Sequence, residues 1–220
     1  MPPSESEKQI QEAQSHLGTI IRDLYNQMAT TYEDHLRDDC QYTLPATVAK
    51  LLAPIAKTHT NFLELAVGPG NIGKAIAEAG IDLRLTGADF SENMLRMIDC
   101  PLYHSRIQLD ATHPMPFEDN TFDGALFILL MEHITDPLLV FQQVYPVIRR
   151  GGLLLFTFMP SQSENVEMLE HESTLISHPR EMVHRELASA GFTLLKEYPL
   201  DTYIHGDEWR VHNLILALKE

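Results

Sequence analysis

Three carboxylates stand where carboxylates are costly or purposeful. Glu64 interrupts the apolar run Phe62-Leu63-Glu64-Leu65-Ala66, Asp89 ends the run from Leu83 to Ala88, and Asp110 ends the run from Tyr103 to Leu109. A glycine turn, Gly68-Pro69-Gly70-Asn71-Ile72-Gly73, follows the first run with G-x-G-x-x-G spacing and leads into a helical pattern. That arrangement brings backbone N–H groups close to a ligand at a helix N-terminus. Asp89 follows the first glycine by about 20 residues, where a carboxylate accepts hydrogen bonds from both hydroxyls of a ribose. Its other possible role is capping the next helix, which Ser91 serves better. Asp110, with Ala111, is placed to accept from an adenine amino group; its other role is turn formation.

The charge of these groups separates the candidate ligands. A buried carboxylate at Glu64 is expensive unless a cation or several donors meet it. A dinucleotide brings a pyrophosphate to the same loop and adds negative charge beside Glu64 and Asp89. S-adenosylmethionine brings an ammonium and a sulfonium, and so suits three carboxylates at three successive strand ends.

The elements that must position these groups alternate along the chain. The spacing predicts strands over 62–67, 83–88, 103–109, 122–130 and 152–159, and helices over 72–79, 92–98, 137–148 and 179–190. Asp136 opens the helix at 137, and Gly191 closes the last one. Two further strands, over 192–200 and 209–220, finish the pattern. This is an α/β fold: a doubly wound, Rossmann-like, mostly parallel sheet of seven strands with an antiparallel edge strand. Ahead of it, residues 1–58 form an N-terminal helical cap, part of the same domain, and residues 59–220 carry the ligand-binding unit. In the cap the first dozen residues fray; Leu17, Ile20, Ile21 and Leu24 then mark an amphipathic helix, and Leu44, Val48, Leu51 and Leu52 a second.

Composition narrows the partners. Sixteen Lys and Arg stand against 31 Asp and Glu, for a net charge of −15, and the longest basic run is Arg149-Arg150. Such a field repels nucleic-acid phosphates and anionic membranes. The apolar stretches near 125–131 and 151–159 are too short to cross a bilayer. Cys40 and Cys100 have no framework spacing, which suits a reducing compartment, and the start MPPSESEKQIQEAQS has no apolar signal region, so the cytoplasm is expected. His171, His178 and His184 have no metal-ligand spacing, and no metal is expected. His205, Asp207, Glu208 and Trp209 form a polar turn, either a pocket rim or solvated surface.

The order of motifs resembles the class I S-adenosylmethionine-dependent methyltransferases. ELAVGPG is similar to the glycine-rich first motif, GADFSENML to the second, LDATHPMPFEDNTFDGALF to the adenine-contact and fourth-strand motifs, and VIRRGGLLLFTF to the turn into the fifth strand. The upstream YNQMATTYEDHLRDDCQYTLPATVAKLL resembles small-molecule members, including the methyltransferase-like group named after the Williams–Beuren region and the quinone-biosynthesis type. Ala66 stands where the family often has its first glycine. The resemblance implies S-adenosylmethionine as cofactor and methyl transfer to an O, N, C or S atom of a small molecule. It implies that Glu64, Ala66, Gly68 and Gly70 line the methionine end, with Asp89 on the ribose. Phe90 and Met94 would flank the adenine, Asp110 and Ala111 its edge, and Leu129 the methyl-transfer centre. His133, in MEHITDP after the fourth strand, is either a general base or a loop histidine that orders the next helix. Tyr25, Tyr32 and His35 either close over the ligand as a lid or pack a capping helix. Two other classes remain open: a non-catalytic adenosyl-binding module, and a nicotinamide-dependent oxidoreductase, against which Glu64, Asp110 and the lack of a Ser/Tyr/Lys set at Y-x-x-x-K spacing both argue.

Overall fold

A computed structural model describes residues 5–56, 60–169, 172–205 and 207–220. The expected cap junction at residues 58 and 59, and His171, lie outside the described residues. The cap comprises α1 (Glu5–Met28), α2 (Tyr32–Asp34), a π-helical turn (His35–Asp39) and α3 (Leu44–Leu52). Helix α1 begins at Glu5, within the first dozen residues, well before the apolar positions that mark it in the sequence. The sequence Glu5-Ser6-Glu7-Lys8-Gln9 is rich in good helix formers, which outweigh its lack of apolar residues.

The core alternates as expected: β1 (Asn61–Leu65), α4 (Asn71–Glu78), β2 (Arg84–Asp89), α5 (Glu92–Met97), β3 (Tyr103–Gln108), β4 (Phe122–Phe127), α6 (Pro137–Val147) and β5 (Ile148–Phe158). A hairpin, β6 (Glu167–Leu169) with β7 (Glu172–Ser177), then precedes α7 (Arg180–Ser189), β8 (Phe192–His205) and β9 (Glu208–Lys219). The hairpin was not expected, because its strands are short and lack an alternating apolar pattern. The main sheet has the order β3-β2-β1-β4-β5-β9-β8. Strands β1 to β5 are parallel, and β9 runs antiparallel to both β5 and β8, so the final strand is inserted one place in from the edge.

Both faces of the sheet are covered, which explains why the central strands are apolar at nearly every position. Leu63, Leu65, Phe127 and Phe156 pack on one side with Phe141 of α6 and Leu187 of α7. Phe62, Leu126 and Leu155 pack on the other with Ile76 of α4 and Val48 of α3. Asp136 caps α6 by accepting from Leu138 N–H at 3.0 Å. At the far end of α6, buried Lys219 of β9 donates to the carbonyls of Tyr145 (2.8 Å) and Ile148 (2.7 Å). No helix of the described residues is long and apolar enough to cross a membrane.

The cap is tied down at several points. Leu17 and Ile21 pack on Ile176 of β7. Asn26 Oδ1 accepts from Ser91 Oγ–H at 2.7 Å, and Asn93 Nδ2–H donates to Asn26 O at 3.0 Å. Glu33 pairs with Lys74 of α4. Farther on, Thr43 N–H donates to Thr202 O (3.2 Å) and Ile204 N–H to Cys40 O (2.7 Å), stitching the cap to β8.

Among the described side chains up to His35, none belongs to either core cluster of the sheet. Removing that segment should therefore keep the far-ultraviolet circular dichroism of the sheet and a single cooperative thermal transition. A truncated chain that retains secondary structure but loses near-ultraviolet dichroism and cooperativity would show that the cap is part of the core.

Candidate active site

The carboxyl ends of β1, β2 and β4 open onto a cavity roofed by α1 and the segment after it. This is where ligands bind in open α/β sheets. Of the residues expected at the cofactor, Glu64, Ala66, Gly68, Asp89, Phe90, Met94, Asp110, Ala111 and Leu129 all line it. Gly70 does not; it is the N-cap of α4 with φ of +85°, turned toward Tyr103. Tyr25, Tyr32 and His133 line the cavity as well. His35 does not: the π-helical turn carries its exposed ring to Asp39 Oδ2 (2.8 Å) and Cys40 Sγ (3.4 Å), which corrects its place in the lid.

Sequence reasoning missed Gly18, Ile21, Arg22, Leu36 and Tyr42, all of which complete the wall. The periodicity located α1 without showing which residues face the ligand. Arg22 lies over the Phe90 ring, 5.6 Å from its centroid.

Glu64 is buried, and desolvation pushes its carboxyl up to about 8 despite a hydrogen bond from Tyr103 O–H to Oε2 at 2.7 Å. Asp89 is held by backbone donors, Gly68 N–H to Oδ2 and Ser91 N–H to Oδ1, both at 2.8 Å. Burial raises its pKa, and these amides pull the other way. One carboxylate thus braces the glycine turn and the start of α5, while Ser91 Oγ caps α5 by accepting from Met94 N–H at 3.1 Å. Asp110 faces the cavity and also forms a turn, accepting at Oδ1 from Thr112 N–H (2.9 Å) and Thr112 Oγ–H (2.7 Å).

Two lining residues hold left-handed backbone without being glycine, Ala66 (φ +51°) and Leu129 (φ +58°). Each ends a central strand; Leu129 stops β4 short of the expected Leu130. A side chain in that region costs on the order of 1 kcal/mol, and such strain concentrates at ligand sites.

Opposite the carboxylates, a 3₁₀ turn, Met131–His133, is fixed residue by residue. Met131 O accepts from buried His178 Nε2–H at 2.9 Å. Glu132 points away from the cavity, its Oε1 3.6 Å from His212 Nε2 in the interior. Burial opposes its charge, but His212 and His133 outweigh that and hold its carboxyl below the usual range. His212 Nδ1 in turn shares a 2.8 Å hydrogen bond with Thr202 Oγ. His133 Nε2 shares a hydrogen bond with the Tyr25 hydroxyl at 3.0 Å, and the ring packs edge-on against Tyr25, which meets Tyr32 the same way. His184 pairs with Glu197, 3.1 Å away, far along the chain from this wall. No group of three or more metal-ligating side chains gathers among the described residues.

A seven-stranded sheet of this order, with an acid at each of three strand ends around one cavity, defines the class I S-adenosylmethionine-dependent methyltransferase fold. Residues 63–156 match the family model described as a methyltransferase domain. That segment is under half of the chain, and over it the chain is similar to methyltransferases. It is 34% identical over 92 residues to the ubiquinone/menaquinone biosynthesis C-methyltransferase UbiE of Desulfotalea psychrophila, a match spanning 41% of this chain and 37% of that protein. The alignment thus covers well under half the length of that curated relative. Among solved structures it is similar to the 1,6-didemethyltoxoflavin-N1-methyltransferase of Burkholderia thailandensis (TM-score 0.69, 13% identity, 91% of this chain and 88% of that one). It is also similar to the magnesium protoporphyrin IX methyltransferase of Synechocystis (TM-score 0.67, 14% identity, 92% and 99%). Both were solved with S-adenosylhomocysteine bound.

The raised pKa of Glu64 has a definite sign for stability. With no ligand its folded value, about 8, lies above the unfolded one near 4.5, so the folded state is favoured at low pH and loses that advantage as pH rises between the two values. Urea titrations across this window should show stability falling. Glu64→Gln, which keeps an oxygen for Tyr103, should flatten that fall and be the more stable form at pH 8; an unchanged slope would mean Glu64 titrates normally.

Proposed function

We propose that this chain transfers a methyl group from S-adenosylmethionine to a nucleophilic atom of a small, uncharged, flat molecule. One observation carries this reading: three strand-end carboxylates face one cavity whose opposite wall holds the hydrogen-bonded pair Tyr25 and His133. The residues fit the cofactor. Glu64 offers a buried carboxyl that only a cation or several donors would make cheap to ionise, beside a glycine turn. Asp89 suits the ribose, Phe90 and Met94 the adenine faces, and Asp110 with Ala111 its edge. When bound, S-adenosylmethionine supplies a methyl carbon on a cationic sulfur that departs as a neutral thioether.

The protein's own part is placement, water exclusion and proton handling. Tyr25, Tyr32 and Tyr42 are half-buried, and desolvation holds all three phenols above their usual range, so they are neutral donors. Tyr25 therefore keeps its proton and donates to His133 Nε2. A nucleophile that must lose a proton gives it to Tyr25 as Tyr25 passes its own to His133, and the carboxylate of Glu132 behind the ring stabilises the imidazolium. Apart from His133, the basic side chain among the described lining residues is Arg22, which lies over Phe90 on the side proposed for the cofactor, and this disfavours anionic acceptors. The acidity of the whole chain disfavours nucleic acid, and two buried free cysteines suit a reducing compartment such as the cytoplasm. The relative named for ubiquinone and menaquinone biosynthesis makes a demethylated quinol the first acceptor to try.

Calorimetry should show binding of S-adenosylmethionine and S-adenosylhomocysteine and none of nicotinamide dinucleotides; the reverse pattern would overturn the assignment. Transfer of labelled methyl to a demethylmenaquinol should be detectable. Binding with no transfer to any small acceptor would leave a non-catalytic adenosyl-binding module. With a working acceptor, His133→Ala should lower turnover ~10²-fold with cofactor affinity unchanged and remove the rise of rate with pH, and Tyr25→Phe should act in the same direction. If wild type and His133→Ala share one pH profile and differ by less than about threefold, positioning alone carries the reaction.

A further inference from the structure

Tyr103 lies outside the cavity wall, yet it joins the two features on which cofactor binding is proposed to rest. It opens β3, is 6% exposed, and its hydroxyl reaches across β2 to β1 and α4. The Gly73 N–H donates to the phenol oxygen at 3.1 Å, and the phenol lies 2.7 Å from Glu64 Oε2. An amide N–H can only donate, so the phenol's single proton goes to Glu64.

The glycines of the turn make room for this ring. A Cβ on Gly73 would sit 2.3 Å from Tyr103 Cε2, one on Gly70 3.0 Å from the same atom, and one on Gly87 of β2 3.1 Å from Cδ1. The third glycine of the turn is thus required by a tyrosine from another strand. Gly73 N–H is also among the first four amides of α4, which have no partner within the helix, and the N-cap residue Gly70 has no side chain to offer them. Tyr103 supplies the missing acceptor and hands the resulting polarity on to Glu64.

We propose that Tyr103 is the positioning residue for the amino-acid end of the cofactor: by taking Glu64 Oε2, it fixes the carboxyl so that Oε1 is presented to the ligand's ammonium. This rests on the cofactor assignment made above. The adenosine end, at Asp89, Phe90 and Asp110, is independent of it. Groups that bear on Glu64 are Asp89 from β2, Tyr103 from β3 and Tyr42 ahead of α3, with Cys100 close to Tyr103.

The test compares two ligands that share the adenosine moiety. S-adenosylhomocysteine carries the amino-acid end, and 5′-methylthioadenosine lacks it. In calorimetry from pH 6 to 9, Tyr103→Phe, which leaves the ring in its slot, should weaken S-adenosylhomocysteine about tenfold or more and leave 5′-methylthioadenosine unchanged. Wild-type affinity for S-adenosylhomocysteine should rise with pH as Glu64 ionises, and in the variant that rise should move to higher pH, because the phenol no longer supports the anion. Gly73→Ala, which pushes the ring out of its slot from the other side, should show the same selectivity. Equal losses for both ligands, or no loss for either, would overturn the proposal. Wild-type protein that binds neither ligand would overturn the cofactor assignment and this proposal with it.

Discussion

A carboxyl group in the middle of a covered parallel sheet is the constraint to which the rest of the site answers. Glu64 occupies a position where neighbouring residues are apolar and fully buried, and nothing on its own strand can satisfy it. Its partner comes from two strands away, and that partner forces small residues along the path between them, Gly87 on β2 and Gly70 and Gly73 on the turn. The glycine pattern therefore has two origins. Gly68, with φ of +53°, faces the cavity and lets the backbone approach a ligand, whereas Gly73 clears a slot for a ring. A buried carboxyl kept neutral in the empty site and charged by a cation stores an affinity that only a cationic ligand can release.

The two walls of the cavity are built on opposite principles. The cofactor wall uses strand ends and backbone amides, the stiffest parts of the fold, with Asp89 tying Gly68 to Ser91. The acceptor wall combines a 3₁₀ turn anchored by buried histidines with side chains lent by α1 and the segment after it. The part of the cap ahead of α3 is held by side-chain contacts that water and salt can compete for, such as Glu33 with Lys74 and Asn26 with Ser91, and by a small apolar cluster of Leu17, Ile21 and Tyr25 with Ile176 of β7. On the proposed reading, a rigid half would recognise the cofactor and a looser half would meet the acceptor, a division of labour the packing makes possible.

What the sequence disclosed follows the range of the interactions involved. The alternation of elements, the glycine turn and the three strand-end acids are local patterns, and most expected cofactor residues do line the cavity. Strand ends were misplaced where backbone conformation changes without a polar signal, as at Leu129, whose left-handed φ no residue type announces. The β6–β7 hairpin escaped because its strands are brief and lack an alternating apolar pattern. Tyr103 with Glu64, Glu132 with His212, and Tyr25 with His133 are pairs separated by 39, 80 and 108 positions in the chain, the first and last joined by direct hydrogen bonds, and no periodicity connects residues so far apart. For His35 the sequence leaves a lid role and a packing role both open, and a π-helical turn carries its ring away from the cavity.

The order of strands at one end of the sheet also governs how the chain can be made. Strand β8 precedes β9 in sequence, but β9 lies between β5 and β8, so β8 has no place to dock until the residues that follow it have been synthesised. Until then a growing chain carries β5 with a bare apolar edge and β8 as an unpaired ribbon, both open to strangers. When β9 arrives it completes the hairpin, fills the gap, and brings Lys219 to the open carbonyls at the end of α6. The sheet is locked from within, by its latest strand, rather than extended outward one strand at a time.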